Sequence, residues 1–253
     1  MELDRVLSLT PRHHQSLIKQ LCERLLAFVL LAACSPLLLV LMLAVRLTSP
    51  GPALLRQQRV GLRGKPFLMY KLRSMVANAE SASGAVWAAE NDPRVTPLGR
   101  VLRQLHLDEL PQLANIVAGD MSFVGPRPER PMFVEQLSAE IPGYVHRLAV
   151  RPGVTGLAQV NLSPDQTMDC VRRKLELDLH YVFLGGWDVD LRIVVCTLLK
   201  IVGIPRTAAA RMMLLSIVPV VAEPAAPIPP AVPRERRQPV RTKDHAQRRP
   251  ASV

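Results

Sequence analysis

Two acidic residues stand side by side at Asp108-Glu109, after Arg94, Arg100 and Arg103 and before two arginine-proline loops, Gly125-Pro126-Arg127-Pro128 and Arg151-Pro152-Gly153. Adjacent side chains on a helix point roughly 100° apart, so the pair cannot face one substrate symmetrically and its members must differ in task. A carboxylate that attacks phosphorus forms an acyl phosphate. The obstacle is repulsion between anions, which guanidinium groups or a divalent cation at the phosphates relieve. The segment offers both: arginines whose loops are stiffened by proline, and hard carboxylate oxygens of the kind Mg2+ prefers. The plainer alternatives stay open at this point. Asp followed by Glu at a helix start is a common cap, and Arg127 and Arg151 taken singly read equally as salt-bridge residues. His106 reads as a base or as a structural histidine, and Asp120 as a turn former or a metal ligand.

The elements that must position these residues follow from periodicity and turn chemistry. Residues 50–75 open on Pro-Gly-Pro, and their alternation about Gly61-x-x-Gly64 predicts two short strands joined by a tight turn. Ser81–Ala89 reads as a loop and Asn91–Gly99 as a run of turns. Helical spacing follows over Arg100–Leu107, then a second short helix over Asp108–Gly119, with Asp108 able to cap it, Pro111 in its first turn and Gly119 closing it. The GDMSFVGPRPERP stretch reads as a loop, and Met132–Arg147 as a helix interrupted at Pro142-Gly143. Arg151–Val160 reads as a glycine-punctuated loop leading into an extended run. Two further helices are expected over Asp165–Leu184 and Val189–Val202, the second amphipathic.

Upstream lies Leu25–Val45, a run without charge. At 1.5 Å per residue a straight helix of that length reaches about 30 Å, enough to cross a bilayer. Its interior Ser35-Pro36 pair predicts a bend, because proline removes an amide donor and clashes with the carbonyl four residues back. Basic residues flank both ends, Lys19 and Arg24 before it and Arg46, Arg56, Arg59, Arg63 and Lys65 after it. Cations that prefer the cytoplasmic side would put both ends on one face, which favours a hairpin that re-enters the leaflet; a simple kinked span is the alternative.

The net charge of +11 implies an anionic partner: phosphorylated small molecules, a membrane surface or nucleic acid. Only three tyrosines and five phenylalanines are present, scattered, and with no recognition module they argue against nucleic acid. The four cysteines lack paired short spacing, which predicts free thiols rather than a zinc site or a disulfide framework. The Pro, Ala and Arg bias from Ala222 onward predicts a disordered tail.

Several ordered motifs carry a resemblance: YKLRSM, then NDPRVTPLGRVLRQLHLDELPQLANIVAGDMSFVGPRPERP, then RPGVTGLAQV and RRKLELDLHYV. Over Leu21–Gly203 the chain closely resembles the bacterial sugar transferases, the polyprenyl-phosphate sugar-1-phosphate transferases with a monotopic catalytic domain. The resemblance implies an α+β, membrane-embedded monotopic enzyme with an N-terminal re-entrant helical hairpin broken at Ser35-Pro36, amphipathic interfacial helices and a small cytosolic catalytic domain. The expected division is a basic lead over 1–24, the re-entrant helix over 25–47, the catalytic domain over 48–205, an apolar membrane-proximal segment over 206–221 and the tail over 222–253. With some 24 residues before the hairpin, the expectation is the compact form of the family.

The same resemblance implies a role for each residue. Asp108 attacks the sugar-linked phosphate of a nucleotide sugar, usually a UDP-sugar, and releases the nucleoside monophosphate; polyprenyl phosphate, usually undecaprenyl phosphate, then takes the phosphosugar. Glu109 assists by organising Mg2+ or accepting a proton, with Asp108 and Glu109 as the implied metal ligands. Lys71, Arg73, Arg94, Arg127 and Arg151 match basic positions of the family motifs and are expected to line the phosphate site, and Gln159 is expected to be structural or substrate-facing. The product would start an exopolysaccharide, capsule or O-antigen chain at the cytoplasmic face of the bacterial inner membrane, with membrane lipids as further partners and homo-oligomerisation left open. Two departures stand out: His106 occupies a position where relatives commonly carry a small hydroxyl residue, and NLSPDQT after Gln159 lacks a frequent glycine. A phosphohydrolase using the same Asp108 and a non-enzymatic basic membrane-surface protein are the rival readings.

Overall fold

A single long helix, α1 (Leu17–Thr48), dominates the N-terminal part of the computed structural model, which describes residues 16–79, 92–163 and 167–215. Ser16 starts the helix, its hydroxyl accepting from the Lys19 amide. The polar residues 17–24, expected as a lead separate from the membrane helix, are its first two turns. They are helical because their side chains bind the body: Lys19 Nζ to Asp190 at 2.6 Å, and Ser122 Oγ to Glu23 Oε1 at 2.7 Å. Inside α1, Pro36 has no amide to give the Ala32 carbonyl, and Ser35 Oγ donates to that same oxygen at 2.8 Å. The hydroxyl stands in for the missing backbone donor.

Lys19, Ala27, Leu38 and Val45 mark the one buried stripe of α1. Around the rest of the helix Leu25, Phe28, Val29, Leu39, Val40 and Leu43 are exposed. Its most apolar window has a mean hydropathy of 2.7, yet only 11% of that window is buried, which is the reverse of a soluble core helix. Apolar surface of this extent is stable only against an apolar solvent. The chain is membrane-associated.

The body is mixed α+β and mostly helical. Strands β1 (Leu54–Val60) and β2 (Pro66–Leu72) form the expected antiparallel hairpin, with Leu54 opposite Leu72 and Val60 opposite Pro66. Between them Arg63 adopts φ 56, followed by Gly64 at φ 77, left-handed geometry that turns the chain within a few residues. Helix α2 (Pro97–Gln104) starts at Thr96, whose hydroxyl accepts from the Gly99 amide at 2.9 Å. Asp108–Gly119 is two pieces rather than one helix: a 3-10 turn over Leu107–Glu109 and α3 (Gln112–Ala118). His106 at φ 55 and the donorless Pro111 keep the two apart, so Asp108 does not cap α3.

The loop expected over GDMSFVGPRPERP contains β3 (Ser122–Val124), which pairs in parallel with β4 (Gly153–Thr155). Helix α4 (Pro131–Glu140) stops before Pro142-Gly143 as expected, and a 3-10 segment over Tyr144–Ala149 follows. The run after Gly156 is helical rather than extended: α5 (Leu157–Asn161) buries Leu157, Ala158 and Val160, and its first bond runs from the Val160 amide to Gly156 O. Two further helices, α6 (Met168–Leu184) and α7 (Trp187–Ile201), pack their buried faces into one core through Leu177, Tyr181, Val182, Ile193 and Cys196. A short α8 (Arg206–Met212) adds Ala209 and Ala210 to that core. The expected loop over Ser81–Ala89 and tail over 222–253 lie outside the described residues.

Candidate active site

The 3-10 turn carrying the acidic pair is held between β2 and the Pro126–Pro128 loop. From below, Asn115 of α3 fixes the strand: the Tyr70 amide donates to its Oδ1 at 3.0 Å, and its Nδ2 donates to Leu68 O at 2.7 Å. An amide side chain on the buried face of α3 thus completes two backbone groups of β2. The next residue, Lys71, is thereby set opposite the turn.

The two acids have different surroundings. Glu109 Oε1 receives Lys71 Nζ at 2.8 Å and Arg127 Nη2 at 2.6 Å. Burial alone would raise its pKa, but Arg127 and Lys71 outweigh burial and hold the carboxyl well below the ordinary range. Asp108 is 7% exposed and accepts no hydrogen bond among the described residues. Burial pushes its pKa up, Lys71 pulls it down, Glu109 adds to the rise, and Arg127 and Arg103 oppose it; the net direction is upward. One carboxylate is clamped. The other keeps its lone pairs uncommitted beside two cations.

Arg127 is positioned through its backbone. Arg147 Nη2 donates to Arg127 O at 2.9 Å, while Arg147 Nε donates to Asp178 Oδ2 at 2.9 Å and Nη1 to Tyr144 Oη at 3.1 Å. The Arg147 and Asp178 side chains are each 2% exposed, and the Tyr144 ring lies 5.3 Å below the guanidinium. The loop itself is pressed against the 151–153 segment at Gly125, where an added Cβ would fall 2.3 Å from Arg151 O. A side chain there would push the Arg127 loop outward. One step further, Glu129 takes Lys174 Nζ at 2.7 Å and lies 3.6 Å from Arg59; against burial, Lys174, Arg147 and Arg59 bring its pKa down to about 2.

Of the residues expected at the phosphate site, Lys71 and Arg127 meet the acidic pair. Arg73 is committed to the C-terminal end of α1, donating to Ser49 O at 2.7 Å and Ser49 Oγ at 2.8 Å. Arg94 grips Asp92 at 2.6 Å. Arg151 joins α3 to α1 through Gly119 O at 3.0 Å and Gln20 Oε1 at 3.1 Å. Gln159 donates to Val154 O at 2.8 Å, within its own turn of chain. His106 borders the pair, and burial, Lys200, Arg127 and Lys71 lower its pKa while Glu109 opposes them. Asp120 is exposed at the end of α3.

Arg147, Asp178, Asn115 and Glu129 escape sequence reasoning as site-building residues. The signal for two of the partners was present in RRKLELDLHYV, where Lys174 and Asp178 are four apart and so share a helix face.

The sequence pattern of the family described as "Bacterial sugar transferase" matches residues 14–203. The chain belongs to the bacterial sugar transferase family. The chain is 42% identical over 191 residues to the UDP-N-acetylgalactosamine-undecaprenyl-phosphate N-acetylgalactosaminephosphotransferase of Aeromonas hydrophila, covering 76% of this chain and 45% of that protein. It is 43% identical over 189 residues to the UDP-glucose:undecaprenyl-phosphate glucose-1-phosphate transferase of Caulobacter vibrioides, covering 74% of this chain and 70% of the relative. With the protein of that same description from Escherichia coli the figures are 42% over 188 residues, 73% and 40%. The chain thus spans less than half the length of two of these relatives. All three are, by description, sugar-phosphate transferases acting on undecaprenyl phosphate.

Proposed function

We propose that this protein transfers a sugar 1-phosphate from a UDP-sugar to undecaprenyl phosphate through a covalent intermediate on Asp108. The observation that carries the reading is the contrast within the acidic pair: a buried carboxylate without hydrogen-bond donors among the described residues stands beside Lys71 and Arg127, which Glu109 holds in place. Asp108 Oδ attacks the sugar-bearing phosphorus, and the bond to the nucleoside monophosphate breaks, its electron pair leaving with that group. The acceptor phosphate then attacks the same phosphorus and frees the carboxylate. Lys71 and Arg127 reduce the anion–anion repulsion in both steps, and Glu109 keeps the two cations from repelling each other. Desolvation leaves Asp108 less stabilised as an anion than it is in water, which favours bond formation.

Mg2+ fits this arrangement in a limited way. Among the described residues no group of three or more His, Cys, Asp or Glu side chains could hold a metal ion, so most ligands would be water and substrate phosphate, as Mg2+ tolerates. Asp108 has oxygens to offer, whereas one oxygen of Glu109 is already shared by two cations. When bound, the ion would neutralise charge on the donor diphosphate.

For topology, we read α1 as a re-entrant hairpin that bends at Ser35-Pro36 and returns to the cytoplasmic face. Both ends support this, since Lys19 and Glu23 bind the body near one terminus and Ser49 binds Arg73 near the other. The active site then lies at headgroup level, where a soluble donor and a lipid phosphate can meet.

The test uses UDP-glucose and UDP-N-acetylgalactosamine labelled at the β-phosphorus, with undecaprenyl phosphate and Mg2+. Wild type is expected to carry label itself when the acceptor is absent and to pass it to the lipid when the acceptor is added; Asp108→Asn does neither. Label released only into water would support a hydrolase instead, and full lipid labelling by Asp108→Asn would remove the nucleophile assignment.

A further inference from the structure

Lys200, in the last turn of α7, and Arg206, in the first turn of α8, are two cations that the chemistry above leaves unused. The Lys200 ammonium makes no hydrogen bond or ion pair among the described residues. It lies within electrostatic reach of Arg206, Arg127 and Glu109, and His106 is in reach of Lys200 in turn. The chain reverses between the two residues: the Gly203 amide donates to Lys200 O at 3.1 Å, Gly203 adopts φ 93, and Pro205 precedes Arg206. Arg206 donates from Nη1 to Ser163 Oγ at 3.1 Å, and its Nε is buried with no partner among the described residues. Two neighbouring cations, one without any acceptor and one with a buried donor unused, form a site short of an anion.

The surroundings say which anion. Leu198, Ile201 and Val202 along the end of α7 are exposed, as are Met212 and Leu214 beyond the start of α8. Cations bordered by exposed apolar side chains suit an amphiphile with a phosphate head and a hydrocarbon tail. A nucleotide has no tail to use that surface.

We infer that Lys200 and Arg206 form the station for the phosphate of the lipid acceptor, whose chain leaves across Ile201, Val202 and Met212. The inference rests on the transfer reading above, which requires two phosphorylated substrates to reach Asp108 in turn. Lys71 and Arg127 serve the phosphorus under attack. A second pair of cations at the membrane side lets the acceptor phosphate wait within reach of the intermediate without displacing the donor. It also selects an anionic lipid over the corresponding alcohol.

The experiment uses the full chain in lipid nanodiscs, as wild type, Lys200→Gln, Arg206→Gln, the double variant and Lys200→Arg. Native mass spectrometry measures retention of undecaprenyl phosphate against undecaprenol, and kinetics follow acceptor-free labelling by the β-labelled UDP-sugars and the KM for undecaprenyl phosphate. Losing charge-assisted hydrogen bonds should weaken undecaprenyl phosphate binding, and raise its KM, by about tenfold or more in the double variant. Acceptor-free labelling and undecaprenol retention stay at wild-type levels, and Lys200→Arg keeps most of the affinity. An acceptor KM within twofold of wild type overturns the inference. So does a fall in acceptor-free labelling, which assigns the cations to the donor, or a parallel loss of undecaprenol, which makes their role structural. If wild type is never labelled by either UDP-sugar but the double variant still loses undecaprenyl phosphate selectively, the station stands and the transfer reading fails; labelled wild type with unchanged lipid retention in the variants is the reverse.

Discussion

Lys71 Nζ donates to Glu109 Oε1 at 2.8 Å, and this contact gives two adjacent acids opposite characters. Arg127 shares the same oxygen at 2.6 Å. With Glu109 spent on holding cations, Asp108 is left as the acid that no ion pair neutralises among the described residues. The clearest tests exploit that difference.

Asp108→Asn should abolish transfer without lowering stability at neutral pH. The folded-state pKa of Asp108 is raised above its ordinary 3.8, so the folded chain holds this proton more tightly than the unfolded chain does. Its contribution is therefore most favourable at low pH and is lost as pH rises through the folded value. Removing the charge relieves that loss at pH 7 and little at pH 4. Thermal unfolding of detergent-solubilised protein should show Asn equal to or above wild type at pH 7, with the margin shrinking in acid. An asparagine variant that melts well below wild type at pH 7 would contradict this.

Glu109 behaves with the opposite sign. Its folded pKa lies below its ordinary 4.5, so its stabilisation is present above that value and is lost as pH falls toward the folded one. Glu109→Gln should cost about 2 kcal/mol at pH 7, because Lys71 and Arg127 lose their shared acceptor, and the wild-type advantage should narrow in acid. Denaturant titrations of both proteins at pH 7 and pH 4 measure this.

The buried Arg147–Asp178 pair should show a split between stability and activity. Asp178→Asn strands a buried guanidinium and should destabilise by about 3 kcal/mol. The double variant Arg147→Met with Asp178→Leu should recover much of that stability, since the interior accepts apolar replacements of similar volume. Activity should not recover, because no guanidinium remains to hold Arg127 O. Recovery of both would show that the loop needs no such anchor.

The hairpin predicts one-sided labelling. In a background where Cys34, Cys170 and Cys196 are serine, exposed Cys22 is one reporter and Arg63→Cys is the other. An impermeant maleimide should reach both in inside-out membrane vesicles and neither in right-side-out ones. Labelling from opposite sides defeats the hairpin. In the same assay Ser35→Ala, which removes the donor to Ala32 O, should make the bend less well defined and lower the yield of one-sided protein.

Much of the architecture follows from short-range rules. Turn chemistry at Gly61–Gly64, the cap at Thr96, the break at Pro142-Gly143 and the charge-free run with its Ser-Pro pair all act within a few residues, so they can be read from the chain directly. The motif order, and with it the family and the acidic pair, is equally linear information. Among the segments that fold otherwise than expected, Asp108–Gly119 as one helix and the run after Gly156 as extended are places where a local pattern fits two backbones. His106 in the left-handed region divides the first, and burial of Leu157, Ala158 and Val160 decides the second.

The sequence by itself determined which residue types are available: an acidic pair, an excess of arginine beside proline, and an apolar helix with a Ser-Pro pair inside it. Only the tertiary structure decided how they are used. It assigned Lys71 and Arg127 to Glu109, turned Arg73 and Arg151 to structural bonds, and anchored Arg127 through Arg147 and Asp178. The reason is that a charge acts over a few ångströms and its partner is chosen by proximity after folding; Arg127 and Arg73 are the same residue type in the chain, and what separates them is which acceptor the fold brings within reach.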